Sequence, residues 1–173
     1  VQDERGKCFK TGSGVVLRED GYILTNFHVV RGGASYGIQF ENEETLHTTR
    51  ELVKYHPDLD LALLRVNRPS RAIQVYCGGP LVRGQKIVAI GSPLGLFNTV
   101  SDGIVSALRR VNQISMVQFT APISPGSSGG ALLDLYGRLV GIITAGYDEG
   151  QNLNLAVDSA AILAFAGNFL QKQ

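Results

Sequence analysis

The sequence predicts an all-β fold, a barrel or a sandwich, followed by one terminal helix. Three observations carry that expectation. Short runs rich in Val, Ile, Leu and Thr recur along the chain, and turn signals separate them. Glycine is abundant, at 21 of 173 residues, and supplies many of those turns. Only at the chain end does the apolar spacing change from that of strands to that of a helix.

The elements follow in order. Residues 14–17 and 22–25 flank Arg18-Glu19-Asp20-Gly21 and read as a hairpin. Residues 35–41 and 46–55 supply further strands, and the apolar run 61–66 follows a Pro57-Asp58 turn. Arg68-Pro69-Ser70 starts a connection, and Cys77-Gly78-Gly79-Pro80 breaks the chain, so a domain boundary is placed there, dividing 1–80 from 81–173. Strands are then expected over 86–90, 99–108, 115–120, 131–134, 139–145 and 153–157, with Leu135-Tyr136-Gly137-Arg138 as a turn. From Asp158, the residues Ile162, Leu163, Phe165, Ala166, Phe169 and Leu170 share one helical face, predicting a helix over about 158–171 capped by Asp158 or Ser159. Gly167 inside it would cost about 1 kcal/mol relative to alanine. The helix is expected to pack on the second domain.

Composition excludes several classes of function. Sixteen basic residues against fifteen acidic leave a net charge of +1, no footprint for nucleic acid or an anionic membrane. Arg109-Arg110 is the only adjacent basic pair and reads as a solvated loop. No apolar run reaches the roughly 20 residues needed to span a bilayer, and the N-terminus shows no signal-peptide pattern. Cys8 and Cys77 read as two free, partly buried thiols, too few for a disulfide framework. HExxH, paired CxxC, EF-hand and phosphate-loop patterns are missing, so neither a metal nor another cofactor is implied.

The stretch with the most chemistry is Pro125-Gly126-Ser127-Ser128-Gly129-Gly130. Glycines on either side let the backbone turn sharply around Ser128, presenting its hydroxyl while the amides of Gly126 and Ser128 converge. Taken alone, a Gly/Ser surface turn explains the stretch equally well. A serine hydroxyl needs a base, and the base needs an acid to fix its tautomer. Of the three histidines, His28 sits in the apolar run Gly21–Val30, at the end of an expected buried strand, where partial desolvation suits a base poised near neutrality. His47 lies in a polar stretch and His56 precedes Pro57, both peripheral. Asp60, set deeper in Asp58-Leu59-Asp60-Leu61-Ala62-Leu63-Leu64 than Asp58, is the better acid, because a carboxylate among aliphatic side chains needs a donor such as an imidazole N–H.

Six segments in register resemble the HtrA/Deg branch of the trypsin-like serine proteases. They are Thr11-Gly12-Ser13-Gly14-Val15-Val16, Thr25-Asn26-Phe27-His28-Val29-Val30, Asp60-Leu61-Ala62-Leu63, Gly91-Ser92-Pro93-Leu94-Gly95, Ser101-Asp102-Gly103-Ile104-Val105-Ser106 and Gly126-Ser127-Ser128-Gly129-Gly130. The resemblance implies two packed antiparallel β-barrels of the chymotrypsin type, the first bringing His28 and Asp60, the second Ser128 and the terminal helix. It also implies peptide-bond hydrolysis without a cofactor. His28 would be the base, Asp60 its orienting acid, Ser128 the nucleophile, and the amides of Gly126, Ser127 and Ser128 the oxyanion hole. The order His, Asp, Ser fits that arrangement and not the α/β-hydrolases, although Gly126–Gly130 also satisfies the GxSxG pattern of an esterase.

By the same analogy Pro122 lies near the base of the primary specificity pocket, Thr144-Ala145-Gly146 form one wall, Asn154 faces the other, and Ile123 also belongs to the substrate-binding residues. No acid stands at the pocket base, which points to a small or medium aliphatic side chain before the scissile bond. Further implications are a peptide or unfolded-protein substrate, an activating peptide that orders residues 91–95 and 122–127, a homo-oligomer (a trimer by analogy) and an extracytoplasmic or organellar location. The chain is expected to be the protease domain alone, without a PDZ domain. Thr120, Ser124 and Ser127 depart from the acid and amides usual before the nucleophile. The competing expectation is a non-catalytic peptide-binding module on the same fold.

Overall fold

The computed structural model describes residues 1–92, 98–144 and 154–170. Strand β1 (Val15–Arg18) pairs antiparallel with β2 (Tyr22–Thr25). Gly21 closes that hairpin at φ +101°, with a Cβ position only 1.9 Å from the Val66 carbonyl oxygen, so no side chain fits there. The chain then winds one helical turn, α1 (Phe27–Val30), before β3 (Tyr36–Gln39) and β4 (Leu46–Thr49), which form a two-stranded ribbon. Next come β5 (Leu52–His56) and β6 (Leu61–Arg65), giving a four-stranded sheet in the order β1-β2-β6-β5. Leu61 to Leu64 are buried on both faces of β6, which explains why that run is continuously apolar.

The expected strand over 46–55 is two strands. Leu52 N–H donates to Arg50 O at 3.2 Å, breaking the run at Arg50-Glu51, so that β4 faces β3 while β5 faces β6. A cavity of about 630 Å³ opens beside the ribbon and the sheet, lined by Ile23, Val30, Tyr36, Ile38 and Leu64 of this half and reaching Ile90 and Ala131 of the other. His47 is not simply solvated: its Nε2 lies 2.9 Å from Glu43 Oε2. Arg68 and His47 both bond Glu43, and these contacts hold its carboxyl below its ordinary pKa.

The second half closes. Strands β7 (Lys86–Gly91), β8 (Thr99–Val111), β9 (Ile114–Phe119), β10 (Ala131–Leu133), β11 (Leu139–Thr144) and β12 (Asn154–Asp158) form a barrel in the order β10-β11-β12-β9-β8-β7. Strand β8 serves two neighbours: its first part pairs with β7 and its second with β9, with an irregularity between Val105 and Ala107. Arg109-Arg110 are exposed on that strand, not in a loop, because β8 runs past its expected end to meet β9. Cys8 and Cys77 are free, and both are exposed where partial burial was expected.

The terminal helix α2 (Ser159–Ala166) is shorter than predicted and passes into a 3₁₀ turn at Gly167–Phe169. Asp158 caps it, accepting from Ala161 N–H at 3.0 Å. Gly167 occupies the C-cap, outside the helix interior, so the interior glycine cost does not arise. The helix also lies elsewhere than expected. Ile162, Phe165 and Ala166 join one core with Leu24, Leu61 and Leu63 of the first half and Leu139, Ile142 and Val157 of the second. It therefore seals the seam between the halves, and is not packed on the second alone.

Candidate active site

His28 sits in the single turn α1, beyond the end of β2, and not at a strand end. The turn forms because the Phe27 amide is captured by the Asp60 carbonyl at 3.1 Å. Asn26, fully buried, adds a second bond to the same carbonyl, from Nδ2 at 3.0 Å. Asp60 occupies the β5–β6 turn at φ +54°. Its carboxylate accepts the His28 backbone N–H at 2.8 Å and faces His28 Nδ1 at 2.6 Å. A carboxylate at Nδ1 selects the tautomer with its proton there, leaving the Nε2 lone pair free to take another proton. The His28 side chain is 41% exposed, so the ring is reachable from outside. Asp58 is exposed, and His56 accepts from Leu59 N–H within its own turn.

Ser128 lies in the loop joining β9 to β10. Gly126 and Gly129 take φ of +93° and +89° on either side of it. Gly130 N–H bonds Ser127 O at 2.9 Å, while Gly129 N–H bonds Ile143 O on β11 at 2.8 Å. The loop is thereby seated on its own barrel. It is also seated on the other half: Ser13 N–H donates to Ser128 O at 2.8 Å. Gly12 is wedged between the halves, its Cβ position 2.5 Å from Val29 Cγ1 and 3.3 Å from Ser128 O. Absence of a side chain at Gly12 is what lets the segment after His28 approach the backbone of Ser128.

The amides of Gly126 and Ser128 donate to no acceptor among the described residues, whereas Ser127 N–H is used by Ser124 O at 3.0 Å. Of the expected trio of oxyanion donors, Ser127 is the one whose amide is engaged, closing a turn. Its hydroxyl is occupied too, accepting from Ser124 N–H at 3.3 Å. Ser128 is 7% exposed. Among the described residues no hydrogen bond joins its hydroxyl to His28. Catalytic side-chain contacts of this kind commonly tighten only when substrate binds.

The expected specificity residues cluster at one end of the barrel. Thr144, at the end of β11, is buried and donates to Leu155 O at 3.1 Å. Asn154, opposite Phe119, donates from Nδ2 to Ala121 O at 2.8 Å, a bond that ties the start of β12 to the segment just after β9. Pro122 is exposed and its carbonyl accepts from Ser101 Oγ at 2.6 Å, while Ile123 is half-buried. Ala145 and Gly146 lie outside the described residues, as do residues 93–95 of the segment expected to move. Thr120, which stands where an acid was expected, is fixed to β8 by accepting from Ile104 N–H at 2.9 Å. Among the described residues no cluster of three or more His, Cys, Asp or Glu is arranged to hold a metal.

Residues 12–142 match the trypsin-like peptidase domain family. The chain belongs to that family. Within it, the similarities are to the HtrA/Deg proteases. This trypsin-like domain is 37% identical over 167 residues to Protease Do-like 1, chloroplastic, of Arabidopsis thaliana, covering 86% of this chain and 37% of that protein. It is 37% identical to the probable periplasmic serine endoprotease DegP-like of Pseudomonas fluorescens, covering 81% of this chain and 30% of the relative. Among solved structures, the serine endoprotease from Yersinia pestis superposes with a TM-score of 0.81 at 32% identity, covering 94% of this chain and 59% of the other. The HtrA-type protease AlgW with decapeptide gives a TM-score of 0.78 at 33% identity, covering 88% of this chain and 49% of the other. The chain thus spans about a third of the length of these two curated relatives. Nothing in the sequence singles out Asn26 or Ser13 beyond their family segments, yet in this HtrA-type domain Asn26 ties the His28 turn to Asp60 and Ser13 ties the first half to the Ser128 loop.

Proposed function

We propose that the chain is a serine endopeptidase domain acting through an acyl-enzyme. The observation that carries this reading is the 2.6 Å contact between His28 Nδ1 and Asp60, on a turn that packs against Gly12, whose other side faces the Ser128 backbone. Ser128 Oγ attacks the scissile carbonyl as His28 Nε2 takes its proton. His28 then passes that proton to the leaving amine, and the acyl group remains on Ser128 until water, deprotonated by the same nitrogen, releases it. Asp60 keeps the imidazole in the needed tautomer and stabilises its charged form. The free amides of Gly126 and Ser128 bind the developing oxyanion, a contribution of roughly 3 kcal/mol for one such donor.

Substrate is a peptide or an unfolded protein, consistent with the decapeptide bound to the related AlgW. Pro122, Ile123, Thr144, Ala145, Gly146 and Asn154 shape the primary pocket, which takes a small or medium aliphatic side chain. An activating peptide that draws the Ser128 hydroxyl and His28 into contact would raise activity by shifting the population of the loop. The chloroplastic and periplasmic relatives favour an organellar or extracytoplasmic setting and a role in protein quality control. Assembly as a trimer follows the same analogy. No helix among the described residues is long and apolar enough to cross a membrane.

The test is a fluorophosphonate probe applied to the purified chain beside Ser128→Ala, with the adduct located by mass spectrometry. Labelling confined to Ser128 is the expected result. If no residue is labelled, with or without added peptides, the acyl-enzyme reading is lost and the fold serves as a peptide-binding module.

A further inference from the structure

Ser13 comes from the first half of the molecule, between Gly12 and Gly14 at the entry to β1, yet its hydrogen bonds reach three other segments. Its carbonyl accepts from Thr25 Oγ1 at 2.7 Å, at the end of β2. Its N–H donates to Ser128 O at 2.8 Å. Its hydroxyl donates to the Gly126 carbonyl at 2.7 Å and accepts from Ser92 N–H at 2.8 Å, just beyond β7. A serine hydroxyl carries one proton. With Ser92 N–H directed at its lone pair, that proton goes to Gly126.

The bond to Gly126 falls at a sensitive place. The peptide unit joining Gly126 to Ser127 lies between the two free amides, those of Gly126 and Ser128. Both of its polar ends are held: the carbonyl by Ser13 Oγ, the N–H by Ser124 O at 3.0 Å. Rotation of this middle peptide would swing one free amide relative to the other, and glycine at position 126 offers little steric resistance to it. Ser124 belongs to the same loop and would move with it. Ser13 does not.

We propose that Ser13 is a positioning residue for the oxyanion hole, its hydroxyl clamping the Gly126–Ser127 peptide so that the Gly126 and Ser128 amides converge on the substrate oxygen. The proposal rests on the acyl-enzyme reading above. Misplacing a preorganised group by about 1 Å can cost on the order of a hundredfold in rate, so removing the hydroxyl is expected to slow acylation while leaving substrate affinity nearly intact.

The experiment compares wild type, Ser13→Ala and Ser13→Thr for the rate of fluorophosphonate labelling and for turnover of a fluorescein-labelled unfolded casein. Casein affinity is read by anisotropy in Ser128→Ala with and without Ser13→Ala, and thermal unfolding reports the folded fraction. The expectation for Ser13→Ala is a fall of about tenfold or more in labelling and kcat, with affinity changed by less than about threefold. Ser13→Thr, which keeps the hydroxyl, retains most of the rate. The proposal is overturned if folded Ser13→Ala labels at the wild-type rate, if the loss only follows the unfolded fraction, or if affinity falls as far as rate. If wild type itself neither labels nor cleaves, the acyl-enzyme reading fails and takes this one with it. That result is distinct, because it is read in the wild-type lane alone.

Discussion

Asp60 holds His28 twice, at the ring through Nδ1 at 2.6 Å and at the backbone through N–H at 2.8 Å. The two bonds do different work. The ring bond sets the tautomer; the backbone bond, with the Phe27 and Asn26 bonds to the Asp60 carbonyl, builds the turn on which the imidazole stands.

Asp60→Asn separates these roles. An amide oxygen can still accept the backbone N–H, so the turn persists, but an amide at Nδ1 no longer enforces the tautomer or stabilises an imidazolium. The expected outcome is a fall in kcat of about four orders of magnitude, with thermal unfolding within a few degrees of wild type. Steady-state kinetics on a cleaved peptide, beside a melting curve, checks it. A variant that keeps a tenth of wild-type turnover would remove Asp60 from the mechanism.

The ring bond was legible in the sequence because a carboxylate in so apolar a run calls for a donor, and the Gly126–Gly130 loop was legible because clustered glycines rarely serve packing. The turn under His28 was not. Phe27-His28-Val29-Val30 continues the apolar pattern of β2, and only capture of the Phe27 amide by Asp60, 33 residues away in sequence, bends it. The same holds for the break at Arg50-Glu51, since residues 46–55 carry strand-forming types throughout and the change of partner from β3 to β6 is a tertiary event. Ser13 stands in the sequence only as part of the segment Thr11–Val16; its partners, Gly126 and Ser92, are brought to it only by the packing of one half on the other.

Gly129 is where that packing is tightest beside the candidate nucleophile. Its φ is +89°, and a Cβ there would lie 2.0 Å from Ser13 O and 2.3 Å from Thr25 Oγ1. Neither the backbone oxygen of Ser13 nor the left-handed conformation can yield cheaply. Gly129→Ala is therefore expected to destabilise the fold by at least about 2 kcal/mol, from backbone strain with the contact added, and to abolish fluorophosphonate labelling in whatever fraction still folds. Denaturant titration and labelling at low temperature test the two parts separately. Wild-type labelling would show that the loop does not need its contact with Ser13.

Lys54 reaches across the seam. Its ammonium donates to the Phe165 carbonyl at 2.7 Å and stands 4.9 Å from the centre of that ring, at the C-terminal end of α2. A cation there complements the helix dipole and satisfies a carbonyl that the helix leaves unpaired. Tyr22, on β2, packs against Phe169 nearby with ring centroids 5.5 Å apart. Lys54→Met keeps the aliphatic stem and removes the charge. Because Lys54 is exposed, the expected loss is modest, about 1 kcal/mol, and it should shrink as salt is raised. Equal stability at low and high salt would show that the bond adds nothing across the seam.

Asp158 combines a cap with a cost. Its carboxylate accepts from Ala161 N–H and starts α2, but burial pushes its pKa up from the ordinary value. A carboxyl whose folded pKa is raised favours the fold at low pH, and that contribution is lost as pH rises through the folded value. At neutral pH Asp158 is thus a good cap carrying an unfavourable charge. Asn caps nearly as well and carries none. Asp158→Asn is expected to match or exceed wild-type stability at pH 7, with the difference narrowing on acidification as the wild-type carboxyl takes up its proton. Asp158→Ala, which loses the cap, is expected to cost about 1 kcal/mol. Denaturant midpoints for the three proteins between pH 7 and pH 4 decide the matter. If Asp158→Asn is less stable than wild type at pH 7 and recovers as pH falls, the charge stabilises the helix start more than burial penalises it.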